Sequence, residues 1–150
     1  MQSLQINPYM LECDEGQRLE TWGARVLVKA GTEETGGAFN LLDIIGPSGF
    51  ATPLHIHYAE DVAVYVLEGS LAIYWGDEKK EAAAGSYFFQ PRGTPHGFRV
   101  IGESPARVLY LIVPAGFDGF VVASSCSADD CEPMTTAACY KLEILGPLPE

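Results

Sequence analysis

The hexapeptide TPLHIH at positions 52–57 decides how this chain is read. It has the composition of a β-strand, and successive strand side chains point to opposite faces, so His55 and His57 project to the same side. Two imidazoles on one face are half of a chelate. The only other histidine in the chain, His96, lies about forty residues on, behind the turn-rich stretch GSYFFQPRGTPHGF at 85–98. Antiparallel pairing in a closed β-structure can bring two such segments into contact. A chain that uses histidine nowhere else is expected to use it here for coordination.

Outward from this stretch the sequence breaks into short apolar runs separated by turn signals, with no repeat or linker. Candidate strands fall at 24–30, 38–45, 52–57, 63–67, 71–75, 86–90, 96–101 and 107–113. Gly69 and Gly76 mark the tightest turns, which indicates hairpins and antiparallel sheets. Pro91, Gly93 and Pro95 shape the loop that delivers His96. Eight short strands predict an all-β barrel or sandwich. The acidic run AEDV at 59–62 and the segment GDEKKE at 76–81 are expected to be solvated turns.

Beyond residue 113 the pattern changes. Phe117, Phe120 and Val121 recur at helical spacing, and Pro133 is placed to start a second short helix whose apolar residues include Met134, Ala137, Ala138 and Leu142. Both helical additions are expected to cover an open end or edge of the sheets.

The length of 150 residues predicts one domain, 1–150, with its core at about 24–114 and a C-terminal extension at about 115–150. A formal charge of −11 disfavours nucleic acid and anionic membranes as partners. No apolar run is long enough to span a membrane, and the first residues lack the features of a secretory signal, so the expected location is the cytoplasm. Cys13, Cys126, Cys131 and Cys139 form no metal-type CxxC pair and are expected as free thiols.

Two motifs, taken together, resemble those of the cupin family. Gly49, His55, His57 and Gly69 match the first, a Gly, five residues, His-x-His and a closing Gly, with YVLEG at 65–69 similar to the family's strand ending. Gly85, Pro91, Gly93 and His96 match the second. The similarity extends to GGAFNLLDIIGPSG at 36–49, VLYLIVPAGFDGF at 108–120 and KLEILGP at 141–147, stretches that resemble single-domain cupins of the quercetin dioxygenase-like group. The resemblance implies a cupin-type double-stranded β-helix, an antiparallel jelly roll carrying one or two short C-terminal helices, with an interior site for a metal or small ligand. It also implies a homodimer.

The resemblance implies a ligand set as well. His55, His57 and His96 correspond to the family's three histidine ligands, whereas its fourth ligand, a Glu, corresponds to Val62. Val100 stands where the second motif usually closes on Asn. Strand parity turns Val62, Val64, Val66, Phe98 and Val100 inward, which predicts a mostly hydrophobic substrate pocket. Arg92 and Arg99 are expected at the surface.

Three neutral imidazoles leave a divalent ion's charge uncompensated and its remaining positions open. Such a centre favours a small anionic organic substrate. One divalent transition metal is expected, iron if oxygen chemistry occurs, with zinc, nickel, manganese, copper and cobalt also suited to imidazole. No catalytic base is identifiable, and Val62 cannot take the flavonol hydroxyl proton that the motif Glu looks placed to receive, so quercetin itself is disfavoured as substrate. The expected function is a metal-binding cupin acting as a dioxygenase or other oxidoreductase. The alternative is a non-catalytic cupin that binds a small molecule or metal.

Overall fold

The structure is a computed structural model that describes residues 5–125 and 137–149. Within them eleven strands appear in chain order: β1 (Gln17–Thr21), β2 (Ala24–Ala30), β3 (Asn40–Gly46), β4 (Leu54–His57), β5 (Asp61–Glu68), β6 (Ser70–Trp75), β7 (Glu78–Ala83), β8 (Tyr87–Gln90), β9 (His96–Ile101), β10 (Ala106–Val113) and β11 (Leu142–Gly146). A single helical turn, α1 (Thr32–Thr35), follows β2, and α2 (Phe117–Ser124) follows β10. Every strand pair is antiparallel. The strands form two sheets, ordered β1-β2-β3-β10-β5-β8 and β11-β4-β9-β6-β7, the arrangement expected of a jelly roll.

Two-residue alternation builds the interior. Along β5, Val62, Val64 and Val66 are buried, whereas Tyr65 between them is exposed; along β10, Ala106, Val108, Tyr110 and Ile112 are buried and Leu111 and Val113 are not. The inward residues of both sheets join one core cluster that includes Leu42, Ile73, Phe88, Phe98 and Val100. Each fully buried aliphatic side chain contributes roughly 1.5–3 kcal/mol.

The hairpins depend on glycine where the backbone demands it. At Gly69, between β5 and β6, φ is +80° and an added Cβ would lie 2.7 Å from the Pro105 carbonyl oxygen, so no other residue fits without displacing the chain. Trp22 and Gly23, both at positive φ, join β1 to β2 in the manner of a type I′ turn.

Three strands escaped the sequence pattern. The segment expected as a solvated turn at 76–81 is largely β7, which pairs along its length with β6 and buries only Ala82. As an edge strand that is exposed at every position but Ala82 it needs no apolar alternation, and its lysines lie over the rings of Tyr74 and Trp75 at 5.6 and 5.8 Å. β1 is likewise an edge strand. β11 corrects the expected role of Leu142, which pairs with His57 in a sheet instead of continuing a helix; the spacing of Ala138 and Leu142 suits a helix equally well.

The helix expected around Phe117, Phe120 and Val121 is present as α2. Of the second expected helix, Ala137, Ala138 and Cys139 form a helical turn, while Pro133 and Met134 lie outside the described residues, as do Cys126 and Cys131. Cys13 and Cys139 are unpaired and exposed. No helix among the described residues is long and apolar enough to cross a membrane.

Candidate metal centre

The pleat of β4 sets His55 and His57 on one face, and β9 brings His96 directly opposite His55 in register. A 2.7 Å hydrogen bond from the Gly93 N–H to the His57 carbonyl ties the loop before β9 to the end of β4. Gly93 sits at φ +83°, a conformation the loop can adopt cheaply only with glycine. One ring nitrogen from each histidine lies within 4.8 Å of the other two. The ring centroids are 4.4 Å apart for His55 and His96, 5.0 Å for His55 and His57, and 5.3 Å for His57 and His96.

What stands behind each ring settles which nitrogen faces the others. His55 Nδ1–H donates to the Pro53 carbonyl at 2.7 Å, and His96 Nδ1–H donates to the Thr94 carbonyl at 2.8 Å. A carbonyl only accepts, so the proton belongs on Nδ1 and the lone pair on Nε2. His57 Nδ1 meets a carboxylate instead, Glu60 Oε1, at 2.8 Å. All three rings are therefore oriented from the rear with Nε2 free to ligate.

Electrostatics keep two of the rings in their ligating form. Burial, with the neighbouring His96 and His57 as further causes, holds His55 well below the usual imidazole range. Burial and His57 bring His96 down to about 4. Near neutral pH both are uncharged, which is the form a metal requires.

Glu60 corrects the expectation that AEDV is a solvated turn. It is only 4% exposed, enclosed with His57 between the sheets. Its position three residues after His57 was the available signal, but side-chain direction out of a turn is not set by strand periodicity. Its neighbour Asp61 does face outward and pairs with Arg92 at 3.1 Å, so Arg92 is held at the surface. Val62, in the place of the motif carboxylate, is 1% exposed and packs in the core.

A cavity of about 80 Å³ opens beside the histidines. His55, His57, Phe98, Phe117, Leu142 and Tyr110 line it, with Trp22 and Phe120 in edge contact, ring centroids 6.2 Å apart. Phe117, from α2, sets its ring against His57 at 4.9 Å. Of the five residues expected to line a pocket, Phe98 does so; Val62, Val64, Val66 and Val100 are packed into the core. Parity turns all five inward, but only the absence of a packing neighbour makes a wall. Tyr110 was not anticipated. Burial pushes its hydroxyl well above the ordinary range, which keeps it protonated and able to donate.

The donor set fits a divalent transition metal: three imidazoles, oriented through Nδ1, converging at one point and backed in one case by a carboxylate.

Residues 41–113 match the cupin domain family. Over 105 residues the chain is 32% identical to a quercetin 2,3-dioxygenase of Bacillus subtilis, covering 70% of this chain and 31% of that protein. Over 75 residues it is 35% identical to an uncharacterised protein of Methanocaldococcus jannaschii, covering 50% of this chain and 60% of that one. The chain thus spans less than two thirds of either curated relative. Among solved structures, KdgF from a Halomonas species superposes with a TM-score of 0.66 at 21% identity, covering 75% of this chain and 98% of that chain, a likeness of fold.

Proposed function

The chain belongs to the cupin superfamily, and on that premise we propose that His55, His57 and His96 hold one divalent transition metal at which a small organic anion is oxidised. The observation that carries this reading is the shared orientation of the rings, each bonded to protein through Nδ1, which leaves three Nε2 lone pairs for one ion. Bound there, the metal would supply a Lewis acid with open positions for substrate and, if it is iron, for oxygen. The protein's own residues do the rest. Glu60 fixes His57 and strengthens it as a donor. Phe98, Phe117 and Leu142 exclude water from one side of the centre, and Tyr110 brings a protonated hydroxyl to the cavity wall.

Size and charge narrow the substrate class. The cavity falls below the ~300 Å³ at which pockets for drug-sized ligands begin, so a multi-ring flavonol would not fit it as it stands. Val62 supplies no base, so the substrate enters already ionised. Diketonates, thiolates and small carboxylates meet both conditions. Metal analysis of protein grown with each candidate metal should give close to one ion per chain. Oxygen uptake with panels of diketones, thiols and flavonols then tests oxidation. No uptake by the iron-loaded protein would move the assignment to the second reading, a cupin that binds without catalysis, which the hydrocarbon core position of Val62 favours.

We further propose a cytoplasmic homodimer. The outer face of β10, β5 and β8 exposes Leu111, Val113, Tyr65, Tyr87 and Phe89 together, and β8 is a free sheet edge. Replacing Tyr87 and Phe89 with Glu should convert a dimer to a monomer in sedimentation velocity.

A further inference from the structure

Buried polar side-chain atoms without a partner are rare in folded proteins, and each one calls for an explanation. Among the described residues there are five such atoms, Arg25 Nε, Tyr74 Oη, Trp75 Nε1, and both Nε2 and Oε1 of Gln90; the last three belong to side chains that share the inner face with the histidines. Gln90 is 1% exposed. An amide this deep in an apolar interior is unfavourable unless something outside the chain bonds to it.

Their places in the fold show what that could be. Gln90 ends β8 on the same face as buried Phe88, directly opposite Val62 on β5. Directly opposed strand residues hold their Cβ atoms roughly 4.5–5.5 Å apart, so the Gln90 amide stands next to the position where the motif carboxylate would be. Trp75 ends β6 directly opposite His96 on β9. The Trp75 and Phe88 rings touch edge to face at 6.1 Å, so Gln90 and Trp75 belong to facing inner walls. In the sheet order β4-β9-β6, His96 has His55 on one side and Trp75 on the other. The apolar cavity borders the β4 flank and takes in neither Trp75 nor Gln90. The polar atoms therefore lie on the opposite flank.

We propose that Trp75 and Gln90 form the polar half of the ligand site, donating hydrogen bonds to an oxygen of a small organic anion seated against His96. The proposal rests on the three-histidine metal reading and names the recognition that goes with it. Indole N–H can only donate, so its partner is an acceptor. The amide contributes a second donor without the negative charge that a carboxylate would set against an anion. Its own oxygen is left to accept from a hydroxyl, which suits a hydroxy acid or the enol form of a diketone. Loss of the motif Glu and presence of Gln90 are then one adaptation: the formal charge moves from the protein to the ligand.

The test uses the full chain loaded with cobalt(II), with azide and acetate as probe anions titrated through the visible absorption bands. Gln90→Leu and Trp75→Phe keep shape and apolar packing but remove the donors. Each should bind cobalt at the wild-type stoichiometry and weaken anion binding roughly tenfold, the loss of one hydrogen bond to a charged group. Gln90→Glu should weaken anions further while holding cobalt more tightly, a reversal that a purely structural role would not produce. Equal anion affinity in wild type and Gln90→Leu, with only thermal stability altered, would overturn the proposal and make the pair a seat for structural water. Wild-type protein that takes up no cobalt would overturn the metal reading and this one with it, whereas normal cobalt uptake with unchanged anion affinity sinks this one alone.

Discussion

The two segments that deliver the histidines handle charge in opposite ways. In the first, β4 and the turn into β5, the acid is retained but turned to the rear: Glu60 bonds the back of His57 while Val62 presents a hydrocarbon forward. In the second, β8 and the loop into β9, no acid is used. His96 is backed by the Thr94 carbonyl, and the inward polar group is the uncharged Gln90. Negative charge therefore reaches the centre through one imidazole and from behind, and the front of the site stays neutral.

The most severe way to break this comparison is to remove the first segment's ligands. Replacing His55 and His57 with Ala should abolish metal uptake altogether in elemental analysis, and a variant that still carried a full equivalent of metal would disprove the ligand assignment. Exchanging Glu60 for Gln keeps an acceptor behind His57 but removes its charge; metal affinity should fall roughly 10- to 100-fold in a chelator competition. If affinity held, a carbonyl and a carboxylate would be equivalent behind the ring and the contrast between the segments would vanish.

Moving the charge to the front sharpens the contrast. Val62→Glu should tighten metal binding and, because it buries a carboxyl in the core, lower the melting temperature of the metal-free protein by roughly 5–10 °C. Tighter binding without that penalty would mean that the position is wetter than its 1% exposure implies. The smallest effect is expected where the two segments are tied together. Gly93→Ala strains a left-handed backbone position whose N–H bonds the His57 carbonyl, so thermal melts should show a loss of roughly 1–2 kcal/mol with metal stoichiometry unchanged.

The histidine pair was legible because strand alternation allows His55 and His57 only one relative orientation, and His96 because Pro91, Gly93 and Pro95 announce a shaped loop. The inward register of Val62, Val64 and Phe98 was legible for the same reason. Which inward residue borders empty space was not, since that depends on what the facing sheet places opposite each one. Glu60 was misread because its direction comes from a turn. The edge strands β1 and β7 were missed because apolar alternation records burial, and each turns too little inward to record: Leu19 alone of β1 packs against the core, and β7 buries only Ala82.

The chain's two tryptophans fall on opposite flanks of the histidines. Trp22, 42% exposed, sits in the β1–β2 turn at the cavity rim, and Trp75, half-buried with its indole nitrogen shielded, stands opposite His96. Intrinsic emission thus divides into a more red-shifted signal from exposed Trp22 and a less red-shifted one from half-buried Trp75. A paramagnetic ion should quench the Trp75 component first, because Trp75 stands opposite His96, and a guest entering the cavity should perturb the other, so loading and occupancy can be followed separately without a dye.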